Sequence, residues 1–295
     1  MKSSSTSFQK PGEMALGGMS LSLDHQHNAR IIHRALELGV ITIDTADLYQ
    51  QGFNEESIGK ALADRREEVF LISKGGNQWM GDGWNWNPSP AYLEKALDAS
   101  LKRLGTDRLD LYLLHGGTLE DPIDEVIDLF ENAVRAGKIL AYGISSIRPT
   151  VVKTWIERSN LRYVMSQYSL LDRRPEEQIF PMLAKAGVGT LVRGALAKGL
   201  LAGKAPAAFL DLSGPQVEEI VSGLRVVAGE QKLGSTALRF AQHQAPDPVL
   251  VVGASSLDQL EENAAFVQVP RLSEEDWETL TKVAPQASYT QHRVA

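Results

Sequence analysis

Short runs of consecutive apolar residues alternate along the chain with longer segments in which apolar residues recur every three or four positions. The first pattern reads as a buried parallel strand and the second as an amphipathic helix laid over it. Strands are expected at about 14–19, 41–45, 69–74, 109–115, 140–145, 163–167, 188–193 and 249–253. Eight such runs with helical segments between them point to repeated βαβ units. The expected architecture is a (β/α)8 TIM barrel, one domain over residues 1–295. Helix ends are marked too: Ser89 offers an N-cap before Pro90, Leu93, Ala96, Leu97, Leu101 and Leu104 form a stripe, and Gly105 stands at the C′ position. Between 124 and 136, Val126, Phe130, Ala133 and Val134 share one face before Gly137. Three segments fit neither period, 75–89, 204–215 and the tail beyond 284, and are expected as rim loops.

Composition narrows the chemistry. A net charge of -7 disfavours general attraction to nucleic acid or anionic membrane, so any anion site must be local. Cysteine is absent, which removes disulfides, thiolate nucleophiles and Cys-ligated metals. The start, Met1-Lys2-Ser3-Ser4-Ser5-Thr6, leads into no apolar stretch and no run is long enough to span a bilayer, so a cytoplasmic location is expected.

Three successive strand candidates end in titratable groups: Asp44 closes 41–44, Lys74 closes 69–74 and His115 closes 109–115, with Tyr49 one short loop after the first. Each alone has an ordinary explanation. Asp44 would cap a loop, Lys74 would be a solvated rim lysine, Tyr49 would cover a helix end and His115 would be a satisfied core histidine. In a parallel barrel, however, all strand C-termini open on one rim, where the active sites of that architecture lie. Asn54 reads as the cap of a following helix, with Glu55 and Glu56 as structural charges in its first turn, and Asp47 as part of the same turn.

The residues that carry these positions resemble the aldo-keto reductases: Asp44-Thr45-Ala46-Asp47-Leu48-Tyr49, Asn54-Glu55-Glu56-Ser57-Ile58-Gly59-Lys60-Ala61-Leu62, Lys74, Leu113-Leu114-His115, and 253–263. The resemblance runs from about Ala15 to about Phe266. It implies a (β/α)8 barrel that binds NADP(H) without a Rossmann domain, and the chain has no G-x-G-x-x-G. It also implies Asp44, Tyr49, Lys74 and His115 as the catalytic set for reducing a small-molecule carbonyl. The chemistry supports those roles. Carbonyl reduction needs a hydride, a proton for the oxygen, and stabilisation of the charge that builds there. A phenol is a weak acid near neutrality, and an adjacent ammonium favours its phenolate. Tyr49 is then the proton donor, Lys74 the ammonium, Asp44 the carboxylate that holds it, and His115 a neutral hydrogen-bonding group. The hydride must come from a cofactor.

Ser256-Leu257-Asp258-Gln259 reads as a capping box that opens a helix after the last strand, leaving outward N–H groups suited to a phosphate. Capping alone would account for Ser256 and Gln259. The resemblance assigns Ser255, Gln259 and Asn263 to the adenosine end, Glu262 to an adenine contact and Lys204 to a phosphate. It assigns Ser145, Ser146 and Gln167 to the nicotinamide carboxamide, with Gly18, Met19, Asp44, Arg193, Gly194, Leu196, Lys198, Gly199 and Gly253 as further cofactor neighbours. Two departures stand out. Many members have asparagine at Ser146, and Arg193 stands where an aromatic residue commonly stacks on nicotinamide. A guanidinium can stack on the ring, bind an acidic substrate, or pair with a nearby carboxylate. Gly253 and Gln259 replace lysine or arginine, so a preference for NADPH with measurable use of NADH is expected.

Trp79, Trp84 and Trp86 among the glycines of 75–89 suggest an aromatic wall and a lean toward apolar aldehydes or ketones. Two other classes fit the pattern: a cofactor-binding sensor resembling the potassium-channel β subunits, and a metal-dependent hydrolase or isomerase. The second needs a rim cluster of His and carboxylates, and His25, His27, His33, His243 and His292 do not sit at strand ends. No metal is expected. His25 and His27 read as a solvated helix start. Oligomeric state is not legible.

Overall fold

The computed structural model describes residues 10–229 and 232–294. The start of the chain, on which the reading of its leader rests, and the outer limits of the single-domain reading lie outside the described residues. The strands are β1 (Met14–Gly17), β2 (Thr42–Asp44), β3 (Phe70–Gly75), β4 (Asn77–Trp79), β5 (Trp84–Trp86), β6 (Leu111–Leu114), β7 (Tyr142–Ser145), β8 (Tyr163–Gln167), β9 (Gly189–Arg193) and β10 (Pro248–Gly253). The helices are α1 (His25–Glu37), α2 (Phe53–Ala61), α3 (Pro90–Leu104), α4 (Ile123–Arg135), α5 (Pro149–Arg158), α6 (Ile179–Ala186), α7 (Gly214–Ala228), α8 (Leu233–Gln244), α9 (Leu257–Ala264) and α10 (Glu274–Val283).

Eight strands close a parallel barrel in the order β1, β10, β9, β8, β7, β6, β3, β2. The expected (β/α)8 fold is therefore the observed one. Two cores divide the apolar residues. Ala15, Phe70, Ile72, Leu111, Leu113, Ala141, Tyr163, Met165, Leu191, Val249 and Val251 fill the barrel. Their strand neighbours, such as Leu16, Ile43, Leu71, Tyr112, Leu114, Ile144, Val164 and Val192, pack outward against the helices. The two-residue period of a strand extends the inner set upward. It carries Phe70 and Ile72 on to Lys74, Leu111 and Leu113 to His115, Met165 to Gln167, and Leu191 to Arg193. The top layer of the barrel is thus polar.

The segment 75–89 is not the plain loop expected from its sequence. β4 and β5 pair antiparallel, Trp79 opposite Trp84 and Asn77 opposite Trp86, and the Met80 N–H closes the turn on the Gly83 carbonyl at 2.7 Å. The strands are three residues each, too short to show a period, and Gly81 at φ +98° supplies the reversal. Likewise 204–215 ends in α7. Beyond 284 the chain is irregular but tied down, with Tyr289 buried and Arg293 paired with Glu177 at 2.6 Å.

Candidate active site

Four elements bring the expected catalytic groups to one point. The Lys74 ammonium, fully buried, lies 2.7 Å from Asp44 Oδ1 and donates to the Thr45 carbonyl at 2.7 Å and to the Tyr49 hydroxyl at 3.5 Å. The same nitrogen stands 5.0 Å from the Tyr49 ring centroid. His115 meets Tyr49 edge-on, with centroids 5.9 Å apart and planes at 81°. An isolated ammonium would be driven neutral at such a site. Here burial does oppose the charge on Lys74, but the Asp44 carboxylate and Tyr49 outweigh it, and its pKa is raised. Burial also raises Asp44, against the pull of Lys74. The ion pair compensates two desolvated groups, and Lys74 stays cationic. Burial, followed by the charges of Lys74 and Arg193, pushes His115 down to about 3. Its ring is therefore neutral near pH 7, and its buried Nδ1 has no hydrogen-bond partner among the described residues.

Tyr49 stands on a strained turn. Gln50, Gln51 and Gly52 follow it with φ of 49°, 57° and 89°, a left-handed run that costs a residue with a Cβ about 1–3 kcal/mol. The turn begins α2, whose first residues differ from expectation. Asn54 does not cap the helix, since the N-cap is Gly52. Asn54 is buried, donating to the Gly18 carbonyl at 2.7 Å and accepting from the Thr45 hydroxyl at 2.7 Å. Glu55 is buried as well, paired with Arg103 at 2.6 Å and accepting from the Ser73 hydroxyl at 2.6 Å. Asn54 shares a helical face with Ile58 and Ala61, and that face is buried.

The remaining candidates line the rest of the mouth. Arg193 donates to Gln167 Oε1 at 2.8 Å, and Gln167 donates to Asp172 Oδ2 at 2.8 Å. Asp172 is taken by Arg174, at 2.7 Å from each oxygen. Among the described residues Arg193 is thus paired with no carboxylate, and burial lowers its pKa against Tyr49, Asp172 and Tyr289. Ser145 ends β7, and Ser146 is buried with its hydroxyl accepting the Arg148 N–H at 3.2 Å. After β9, Gly194, Ala197, Lys198 and Gly199 all have positive φ, at 74°, 45°, 58° and 94°. The Leu196 carbonyl accepts the Gly199 N–H at 2.8 Å, and Lys204, exposed, lays its stem over Gly199. Met19 is exposed on the rim, and Gly18 is wedged against the Asp44 carbonyl and Asn54.

At α9 the expected capping box forms only in half. Ser256 Oγ accepts the Gln259 N–H at 3.2 Å, but Gln259 Oε1 reaches past Ser256 to the Ser255 N–H at 3.0 Å and the Ser255 hydroxyl at 2.9 Å. Asn263 donates to the Gly253 carbonyl at 3.2 Å, and Glu262 is exposed. His27, rather than being merely solvated, hydrogen-bonds the Ser255 carbonyl at 2.9 Å, and His25 stacks on Phe53 at 4.3 Å. At the start of α3 the Ser89 side chain makes no cap bond, because it donates to Asn87 Oδ1 at 2.7 Å. Of the three tryptophans expected as an aromatic wall, Trp86 anchors the loop: its indole N–H donates to Asp121 at 2.9 Å and its ring covers Gly76 and Gly116. Among the described residues no group of three or more His, Asp or Glu is placed to hold a metal ion, and no helix is long and apolar enough to cross a membrane.

The chain is 40% identical over 292 residues to the uncharacterized oxidoreductase YqkF of Bacillus subtilis (strain 168), covering 95% of each protein. It is 30% identical over 282 residues to the aldo-keto reductase yakc [NADP(+)] of Schizosaccharomyces pombe, covering 88% of this chain and 83% of that one. Among solved structures, the holo form of aldo-keto reductase AKR11C1 from Bacillus halodurans superposes with a TM-score of 0.92 at 42% identity, covering 98% of this chain and 97% of that one. The sequence profile of the Aldo/keto reductase family matches residues 11–285. A closed parallel barrel with an acid, a phenol, an ammonium and an imidazole at its mouth agrees with that match, and the chain belongs to the aldo/keto reductase family.

Proposed function

We propose that this protein reduces aldehydes or ketones to alcohols at the expense of NADP(H), with Tyr49 as general acid supported by Lys74, Asp44 and His115. The observation that carries the reading is the sealed Asp44–Lys74 pair, whose ammonium reaches the Tyr49 hydroxyl at 3.5 Å. A carbonyl oxygen seated against that hydroxyl receives its proton there, while the buried cation stabilises the oxygen left on Tyr49. Asp44 keeps the cation charged. His115, neutral down to about pH 3, offers a hydrogen bond to the same oxygen without adding charge.

The residues of the opposite rim suit a dinucleotide. The left-handed residues Ala197, Lys198 and Gly199 shape the rim beside Lys204, with the Ala197 and Gly199 N–H groups spent on the Gly194 and Leu196 carbonyls. The start of α9 suits a phosphate, and among the described residues the Arg193 cation at the mouth has the Gln167 amide as its hydrogen-bond partner. When bound, the cofactor supplies the hydride. On this reading Ser145, Ser146 and Gln167 hold its carboxamide, Arg193 lies against its nicotinamide, Ser255, Gln259, Glu262 and Asn263 hold its adenosine end, and Lys204 pairs with phosphate. For adenosine to bind through Ser255, the Gln259 side chain must release the Ser255 N–H.

The test is Tyr49→Phe, assayed by NADPH oxidation over a panel of aldehydes with cofactor binding followed by tryptophan fluorescence. Loss of the hydroxyl alone should cost on the order of 10²–10⁴-fold in rate and leave NADPH affinity unchanged. Ordinary turnover in the variant removes Tyr49 from the mechanism.

A further inference from the structure

One titratable cluster behind the mouth has no part in these steps. Asp47, two residues before Tyr49, donates its N–H to the Lys74 carbonyl at 3.1 Å. Its Oδ2 accepts the Tyr92 hydroxyl at 3.1 Å, and its buried Oδ1 has no hydrogen-bond partner among the described residues. Around the carboxyl stand Glu55 from α2, Tyr92 and Arg103 from α3, and Tyr112 from β6, whose own buried hydroxyl is unpartnered. Just beyond Tyr49 the backbone is left-handed at Gln50 and Gln51, a conformation that persists only where neighbours impose it. On one side Gln50 Nε2 holds the turn by the Leu21 carbonyl at 2.6 Å. On the other side the holding group is Asp47.

We propose that Asp47 is a positioning residue for the Tyr49 hydroxyl, fastening the strained turn to Tyr92 and to the backbone of Lys74, and that it holds best as the neutral acid. Ionised, the carboxylate is buried with Oδ1 unpartnered among the described residues, near the buried Glu55, and repulsion in excess of the pull of Arg103 draws the turn away from the cluster. Burial, then Glu55, raise the Asp47 pKa to about 7 against Tyr92, the Leu48 N–H and Arg103. The inference rests on the reductase reading of the mouth.

The experiment is the pH profile of NADPH-dependent aldehyde reduction in the parent, Asp47→Asn and Tyr92→Phe, with cofactor affinity measured in parallel. In the parent, kcat should fall about tenfold between pH 6 and pH 8, as for one group titrating near 7, with NADPH affinity constant. Asp47→Asn should remove this limb. Tyr92→Phe, which lacks both the fastening and the hydrogen bond that favours the carboxylate, should lower kcat at every pH and move the limb to higher pH. An active parent without the limb, or a limb left in place by both variants, overturns the inference alone. A parent with no NADPH-dependent reduction at any pH overturns the reductase reading and the inference with it. If Asp47→Asn does not fold, the Tyr92→Phe shift decides.

Discussion

The two sides of the barrel mouth hold their functional groups by opposite means. Where β2, β3 and β6 end, charge is sealed: Lys74 and Asp44 are buried against each other, and the His115 ring is kept neutral. Where β9 and β10 end, the groups are open: Gly194, Ala197, Lys198 and Gly199 are left-handed, and Lys198, Lys204, Gln259 and Glu262 stand in water. The difference follows from the tasks proposed for each side. A proton delivered at one atom requires groups withdrawn from solvent, where electrostatic interactions are strong. A polyanion is held well enough by a helix start and screened cations. Substitutions should accordingly be severe on the first side and graded on the second.

Lys74→Met tests the first side most harshly. It leaves Asp44 buried without its cation, and removing one partner of a sealed pair costs about 3–5 kcal/mol. Urea unfolding at pH 7 should record that loss, beside a fall in reduction rate on the order of 10²–10⁴-fold. Parent-like stability would mean that the pair is not sealed.

A smaller effect belongs to His115. The unfolded chain takes up its proton near the ordinary value of 6.5, whereas the folded one resists until about 3. The unfolded state therefore binds more protons in that window, and the contribution to stability, complete above pH 6.5, is lost as pH falls through it. The slope is at most about 1.4 kcal/mol per pH unit. His115→Asn should flatten the decline in urea midpoint between these values. An unchanged slope would open the catalytic side to water.

On the second side, Lys204→Ala should weaken NADPH about two- to fivefold, the scale of an exposed ion pair, and NADH hardly at all, with the gap closing as salt rises. Equal loss for both cofactors places Lys204 on the pyrophosphate. No loss sinks its assignment. The smallest effect separates burial from position. Trp84 lies on the catalytic side but is 54% exposed, so Trp84→Ala should shift stability by no more than about 0.5 kcal/mol in thermal unfolding. A larger shift would show that the hairpin is anchored by more than Trp86.

The barrel and the residues that end its strands were legible because pleat and burial force both. A strand buried on two faces is written as an apolar run, and a lysine or histidine at its end interrupts the run visibly. What lay between elements was not legible. Asn54 and Glu55 look like helix-start polar residues, and only tertiary packing buries them, Asn54 against Gly18 and Thr45 and Glu55 against Ser73 and Arg103. Gln259 satisfies the capping pattern, yet bonds one residue further back, a choice made by the geometry of the turn. Asp47 was set aside with its turn, because its environment is assembled from Glu55, Tyr92, Arg103 and Tyr112, far apart in the chain.

Barrel closure joins Met14 of β1 to Leu250 of β10. During synthesis the first strand thus waits on the order of 200 residues for a permanent neighbour, on the order of 10–50 s at ~5–20 residues per second. Through that interval β1 has only β2 beside it, and its other edge stays open to pairing with a wrong strand or another nascent chain. Chaperone dependence should therefore track the rate at which the last quarter of the message is translated.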